Sequence, residues 1–386
     1  MRVVINIEQL LHEAPGGIGR YTAELVRGLN RQFPGDTVIP FTARHSRTSV
    51  ERARRNFRLD GPGAQEPVIL ALPRPILYDA WHALGWPLLS SSAPILGTCD
   101  LVHAPSTAVP PRGPQPLVVT MHDAAYALFP HVYPRRGRHF HRRGASAAAR
   151  RADLVITGSH SAAAEIVEHT QILAERVRVV PYGVDHLKAS PEGVDSALQR
   201  YGLSHIPYLL WVGSFEPRKN VGTLVQAFST LVSESDLPHH LVLVGPHGWL
   251  EKDLVDSHLQ QQISDRLHVL GVVPEDDLRA LYAAADVFAF PSIHEGFGLP
   301  VLEAMVQDTV VVCSDIPALR EVAADGASFV TSTDAESWAS ALEAVIRDSS
   351  LRERRVLAGR RQAANFSWER TVRETHEVYE EALADR

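Results

Sequence analysis

The sequence predicts an α/β protein built from two doubly wound domains, each a parallel sheet covered by helices on both faces. Three observations carry that expectation. The chain has 386 residues, too many for one ordinary core and suited to two domains of about 100 to 200 residues. Short apolar runs alternate with helical stretches along its whole length, which is the pattern of parallel sheets with helical crossovers. The alternation loosens over a polar stretch from Gly183 to Gly202 and restarts at Tyr208, which places a linker there. The domains are therefore expected over residues 1–188 and 189–368.

In order along the first half, strands are read at Val3–Ile7, Leu101–His103, Leu117–Met121, Leu154–Thr157 and, more weakly, Val177–Pro181. Helices are read over Gly19–Arg31 and Ser161–His169. Residues 42–98, rich in Pro, Ser and Arg, give no clear periodicity. In the second half the series is Tyr208–Gly213 (strand), Asn220–Val232 (helix), Leu241–Gly245 (strand), Asp276–Ala285 (helix), Val287–Pro291 (strand), Leu299–Val306 (helix) and Val310–Cys313 (strand). An amphipathic helix runs from Ser367 to Leu383.

Composition narrows the function classes. Hydrophobic residues make up 45% and charged residues 22%, values of a soluble globular protein. The two cysteines, Cys99 and Cys313, fit neither a metal-ligand spacing nor a disulfide framework, so a reducing cytoplasm is expected. The N-terminus runs directly into a strand, and no apolar run of about 18 residues occurs, so neither a leader nor a membrane span is expected. The net charge of −7 is unevenly spread: residues 1–190 carry +7 and the remainder −14. The basic half holds Arg135, Arg136, Arg138, Arg142 and Arg143 in one segment. That cluster suits a phosphate-bearing acceptor, peripheral contact with an anionic membrane at its inner face, or a merely solvated helix face. Nucleic acid is not expected, because no nucleic-acid module or interleaved aromatics accompany the arginines.

Four constellations carry candidate chemistry. The run Pro291–Met305 follows a buried strand. It sets Glu295 on a strand-to-helix turn, Gly296, Phe297, Gly298 and Leu299 at the start of a helix, and Glu303 within it. Pro300 fits the first helical turn. Backbone amides at such a start attract anions, and flanking carboxylates accept from hydroxyls, so a sugar nucleotide suits the pair. Gly213 to Asn220 follows another strand, and its Arg218 and Lys219 offer two adjacent cations for a pyrophosphate leaving group that gains charge as its bond to the sugar breaks. His122, beside Asp123, sits at the end of a strand. Gly16, Gly17 and Gly19 open the first helix, where a backbone can approach a phosphate or sugar closely. The spacing is not that of a dinucleotide-binding loop, which disfavours a nicotinamide enzyme, and no Walker A, zinc-protease or serine-hydrolase motif occurs.

Taken in series, these motifs resemble the retaining GT-B glycosyltransferases of family 4, the group 1 glycosyl transferases. The matching pieces are Gly16-Gly17-x-Gly19, His122-Asp123, Ser159-His160-Ser161, Val180–Asp185, Glu216–Asn220, Leu241–Gly245, the Glu295/Glu303 pair, Asp315–Val322 and Ser367-Trp368. The resemblance covers nearly the whole chain and is strongest in its second half. It implies two Rossmann-like domains facing across a cleft, the second holding the donor, with the terminal helix at about 369–386 returning to the first. It implies that Arg218 and Lys219 hold the donor diphosphate and that Glu303 binds the ribose hydroxyls. Glu295, with Gly296 to Leu299, would hold the transferred sugar. Gly213 would belong to the donor site, His122 would contact the sugar from the other domain, and Gly17 would approach the phosphate or the acceptor. Transfer with retention, no required metal or other cofactor, and help from the leaving phosphate in taking the acceptor proton are implied in the same way.

The Phe215–Asn220 motif with His122-Asp123 is most similar to mannosyltransferases of lipopolysaccharide and capsule assembly, which implies GDP-mannose as donor and a saccharide or lipid-linked acceptor. A sugar-nucleotide epimerase of the same fold and a non-catalytic sugar-nucleotide-binding partner subunit stand as alternatives. Two positions depart from the family pattern. Asp308 stands where a helix-ending glycine is usual, with modest backbone strain expected, and Tyr182 replaces the commoner Asn before Gly183.

Overall fold

The computed structural model describes residues 1–13, 15–246, 263–331 and 333–384. The chain forms two compact units, Met1–Gly183 with Ser367–Arg386, and Val184–Phe366. Among the described residues the first unit holds a seven-stranded sheet. Its strands are β1 (Arg2–Asn6), β2 (Thr37–Thr42), β3 (Val68–Ile69), β4 (Leu101–Ala104), β5 (Leu117–Thr120), β6 (Leu154–Thr157) and β7 (Val177–Val179), in the order β3-β2-β1-β4-β5-β6-β7. All pairs are parallel. The second unit holds β8 (Tyr208–Val212), β9 (His240–Val244), β10 (Leu267–Gly271), β11 (Val287–Phe290), β12 (Val311–Ser314) and β13 (Ala327–Val330), in the order β10-β9-β8-β11-β12-β13, again all parallel.

Each sheet reverses its strand order once, between β1 and β4 and between β8 and β11. At such a switch point the connections leave in opposite directions and open a crevice at the carboxyl ends of the strands. The strands read as continuous Val, Leu and Ile runs because helices cover both faces; β8 and β11 are almost wholly buried. Gly28 lets the helix Gly16–Gln32 sit close against the terminal helix Trp368–Ala384, where a Cβ would overlap Val372. His103 on β4 bonds Tyr379 of the terminal helix through Nδ1 (2.6 Å) and Thr120 of β5 through Nε2 (2.8 Å). Burial pushes the His103 imidazole down to about 3, so it stays neutral in this network.

The two units divide at the start of the stretch 183–202 expected as the linker, and the rest of that stretch is not irregular. Pro191–Arg200 is a helix, with Ser190 as its N-cap accepting from the Gly193 amide (3.1 Å) and Pro191 in the first turn. Proline and glycine there mark a helix start. Residues 42–98 contain real structure too, chiefly the helices Arg47–Asn56 and Arg74–Leu84. No helix among the described residues is long and apolar enough to cross a membrane. Cys99 and Cys313 are buried free thiols.

Asp308 has φ +65°, in the left-handed region. Its carboxylate is anchored by Arg360 (2.9 and 2.8 Å) and by Lys188. Burial favours the neutral acid, but Arg360 and Lys188 outweigh it and hold Asp308 below the ordinary carboxylate value. The strain of the backbone is thus offset by ion pairs that a glycine could not make. Asp308→Ala keeps the strain and loses the pairs, so it is expected to destabilise by about 1 to 2 kcal/mol, with Asp308→Gly falling between it and the native protein. Urea denaturation checks this; an Ala variant as stable as the native chain would contradict it.

Candidate active site

The site in the second unit follows from the adjacency of β8 and β11. The turns that leave their carboxyl ends lie side by side and are joined by the Ile293 amide donating to the Arg218 carbonyl (2.9 Å). Pro217–Lys219 forms a single 3-10 turn that ends at Asn220, itself left-handed at φ +53°. Gly213 sits where a side chain would press on the Trp211 ring, and its amide bonds the Val244 carbonyl (3.0 Å).

These turns bring together three of the residues singled out in the sequence. Lys219 Nζ lies 2.6 Å from Glu295 Oε1, and Arg218 Nη1 lies 3.1 Å from Glu295 Oε2. Arg218 also donates to the His294 carbonyl (2.7 Å) and approaches Glu216 (3.7 Å), whose other oxygen accepts from Ser214 Oγ (2.7 Å). Lys219 lies over the Phe290 ring, 5.0 Å from its centre. Lys219 and Glu295 are buried. Burial pushes Glu295 toward its neutral form, but Lys219 and Arg218 overcome this and hold it at about 2. Burial lowers the Lys219 ammonium against the attraction of Glu295. The result is a largely buried, preorganised cluster of opposite charges.

Gly298, at φ +109°, begins the helix Leu299–Val306, with Pro300 in its first turn. The amides of Gly296 to Leu299 therefore surround a helix N-terminus next to Glu295. Glu303 lies in the same helix, and its Oε2 accepts from Tyr282 (3.1 Å), a buried ring on the helix Glu275–Ala284. Sequence reasoning assigned no role to Glu216 or Tyr282. Glu216 had a signal, since it stands two residues before Arg218; Tyr282 had none, because its contact depends on how two helices pack.

His122 and Gly17 belong to the first unit. His122 follows β5. Its Nε2 donates to the Pro105 carbonyl (3.1 Å), which leaves Nδ1 to accept from the Tyr182 hydroxyl (2.7 Å). Burial lowers its pKa, against the Pro105 carbonyl and Asp123, so a neutral ring with one defined tautomer results. Tyr182, the departure noted before Gly183, is thus the partner that orients His122. Tyr21 packs edge-on against the same ring, 5.5 Å between centres. Gly17 is exposed in the first turn of Gly16–Gln32. Among the described residues no group of three or more His, Cys, Asp or Glu side chains is disposed to hold a metal ion.

The comparisons with known proteins bear on this geometry. Residues 202–362 match the family model of glycosyl transferases group 1, and residues 15–187 match that of glycosyltransferase family 4. The O-antigen chain mannosyltransferase B of Escherichia coli is 30% identical over 390 residues, covering 98% of this chain and 99% of that protein. The chain belongs to the group 1 glycosyl transferases. A second relative, the MMP alpha-(1->4)-mannosyltransferase of Mycolicibacterium hassiacum, is 34% identical over 243 residues, 61% of this chain and 56% of that protein.

The fold of this glycosyltransferase is also that of solved structures. Sucrose-phosphate synthase from Thermosynechococcus elongatus superposes with a TM-score of 0.76 at 19% identity, covering 100% of both chains. Anabaena HepE, solved with UDP and glucose, superposes at 0.74 with 20% identity, covering 98% of both. These likenesses place the two parallel-sheet units in the GT-B class.

Proposed function

We propose that this glycosyltransferase moves mannose from GDP-mannose, with retention of configuration, to a saccharide or lipid-linked acceptor in cell-envelope polysaccharide synthesis. The observation that carries the reading is the buried cluster of Arg218, Lys219 and Glu295 at the switch point of the second sheet, beside the amides of Gly296 to Leu299. The full-length likeness to an O-antigen mannosyltransferase supports the choice of sugar and pathway class.

In this reading the donor diphosphate lies against Arg218, Lys219 and the helix amides. As the bond from the anomeric carbon to the diphosphate oxygen breaks, its electron pair stays on the diphosphate, and the two fixed cations stabilise that charge. Glu295, kept ionised by the same cations, accepts hydrogen bonds from hydroxyls of the mannosyl group. Glu303, held by Tyr282, accepts from the ribose. The acceptor oxygen forms the new bond to the anomeric carbon on the face the diphosphate leaves, and its proton passes to the departing phosphate. No metal takes part. His122, fixed in one tautomer by Tyr182 and Pro105, contributes from the first domain, and Gly17 gives close backbone approach. Peripheral contact with anionic lipid through Arg135, Arg136, Arg138, Arg142 and Arg143 belongs to the same reading.

NMR of the product formed from GDP-mannose and a mannosyl oligosaccharide tests the proposal. An α-mannoside with the anomeric configuration of the donor is expected, at an undiminished rate in EDTA. A β-mannoside would contradict retention, and an isomeric nucleotide sugar formed without acceptor would replace transfer by epimerisation.

A further inference from the structure

His122, Gly158 and Tyr182 follow the ends of three neighbouring strands, β5, β6 and β7. From the end of β7 to that of β5 is two strand spacings, about 10 Å. The Tyr182 side chain covers that span by passing over the end of β6, and the residue it passes is Gly158. A Cβ at Gly158 would lie 2.8 Å from both Cε2 and Cζ of the Tyr182 ring, so the glycine makes the room. The ring is held on its other sides as well. Tyr21 packs against it with 4.9 Å between ring centres, and Tyr21 is itself bonded to Thr120 (3.1 Å). The backbone around Tyr182 lies on the terminal helix. Thr371 Oγ1 donates to the Pro181 carbonyl (2.8 Å), and a Cβ at Gly183 would stand 2.2 Å from the Trp368 nitrogen.

This cradle delivers one group, the Tyr182 hydroxyl, to Nδ1 of His122. Nε2 of the same ring donates to the Pro105 carbonyl. Both nitrogens are therefore engaged inside the first domain, although the ring is only half-buried. His122 can give or take a proton only by breaking one of these bonds. The titratable groups around it are Asp123, Tyr21, His103 and Tyr182. Asp123 favours a charged ring, and burial outweighs it. Burial, with Tyr21 and Asp123, pushes the Tyr182 phenol well above its ordinary value, so it remains a donor.

We propose that Tyr182 is a positioning residue for the transfer reaction: through its hydroxyl it fixes His122 as a rigid neutral ring that meets the sugar and takes no part in moving the acceptor proton. The inference rests on the reading of His122 as the first domain's contact with the transferred sugar.

Nitrogen-15 NMR of histidine-labelled protein tests it, with the His122 signals assigned by their loss in His122→Gln. The native ring is expected to stay neutral and protonated on Nε2 from about pH 5.5 to 8. Without the hydroxyl the neutral form loses its donor, so protonation becomes easier. In Tyr182→Phe the ring should titrate toward the ordinary value of about 6.5. Gly158→Ala, which keeps both side chains but removes the room, should do the same. In initial rates, Tyr182→Phe should lower kcat at least about fivefold with donor KM within about twofold, and gain an acidic limb that the native profile lacks. Combined with His122→Gln it should cost nothing further, because it acts through that ring. Tyr208→Phe removes another buried hydroxyl, bonded to the Leu281 carbonyl (2.7 Å) in the second domain, and should leave both spectra and kcat native. A native His122 that ionises in this range or carries its proton on Nδ1 would overturn the proposal. So would Tyr182→Phe with native kcat and pH profile, or losses that add in the double variant. Failure of the native chain to transfer would count against the transferase reading, while the spectra would still decide what Tyr182 does to His122.

Discussion

Lys219→Ala is expected to reduce transfer at least tenfold and to destabilise the second domain by about 3 kcal/mol. The kinetic figure is the loss of one of two cations that meet the leaving diphosphate, at least about 1.4 kcal/mol of transition-state stabilisation. The stability figure follows from leaving Glu295 buried with one partner fewer, at the low end of what breaking a buried pair costs because Arg218 remains 3.1 Å away. The pH dependence has a definite sign. Glu295 is held at about 2 against an ordinary 4.5, so its contribution to stability is complete above about pH 4.5 and is lost as the pH falls toward 2. Without Lys219 the carboxyl titrates higher, and acid unfolding should begin at higher pH. Urea denaturation between pH 3 and 7, together with initial rates, checks both parts. A variant with native stability and near-native transfer would remove the cluster from the site.

Gly298→Ala should lower stability by about 1 to 3 kcal/mol and weaken donor binding at least tenfold. Its φ of +109° lies outside what an L side chain accepts without strain, and the added Cβ would lie 2.5 Å from Leu319 Cδ2. Relief of that strain moves the start of the helix Leu299–Val306, and with it the amides beside Glu295 and the backbone that positions Glu303. Gly202→Ala is the informative control. It also has positive φ, but open space surrounds the new methyl, so a loss of about 1 kcal/mol without change in donor affinity is expected. Equal donor binding by native and Gly298→Ala chains would show that this turn does not shape the site.

Much of this site was legible in the sequence because its parts are local. The glycines and Pro300 around the start of Leu299–Val306 announce a strand-to-helix turn, and Glu216 to Asn220 announces another. What was not legible is their meeting. Lys219 and Glu295 are 76 positions apart and touch because β8 and β11 are neighbours, a consequence of strand order that no local pattern encodes. The partner of His122 was hidden for the same reason, since Tyr182 arrives from beyond β7. The fold was read most surely where strands are buried on both faces, as at β11. It was missed at β10, an edge strand only half-buried, whose Leu267–Gly271 run lacks a continuous apolar signal. The helix Pro191–Arg200 was missed because its capping residues were read as loop formers.

The central claim is that the Arg218, Lys219, Glu295 and Glu303 constellation holds a nucleoside-diphosphate sugar, and calorimetric titration tests it most directly. GDP-mannose, UDP-glucose, UDP-N-acetylglucosamine, GDP and UDP would be titrated with and without EDTA into the native chain and into Glu303→Ala. Selective binding of GDP and GDP-mannose, indifferent to EDTA and weakened at least tenfold by Glu303→Ala, is the expected result. Binding of none of these ligands, or binding unaffected by Glu303→Ala, would contradict the assignment of the site.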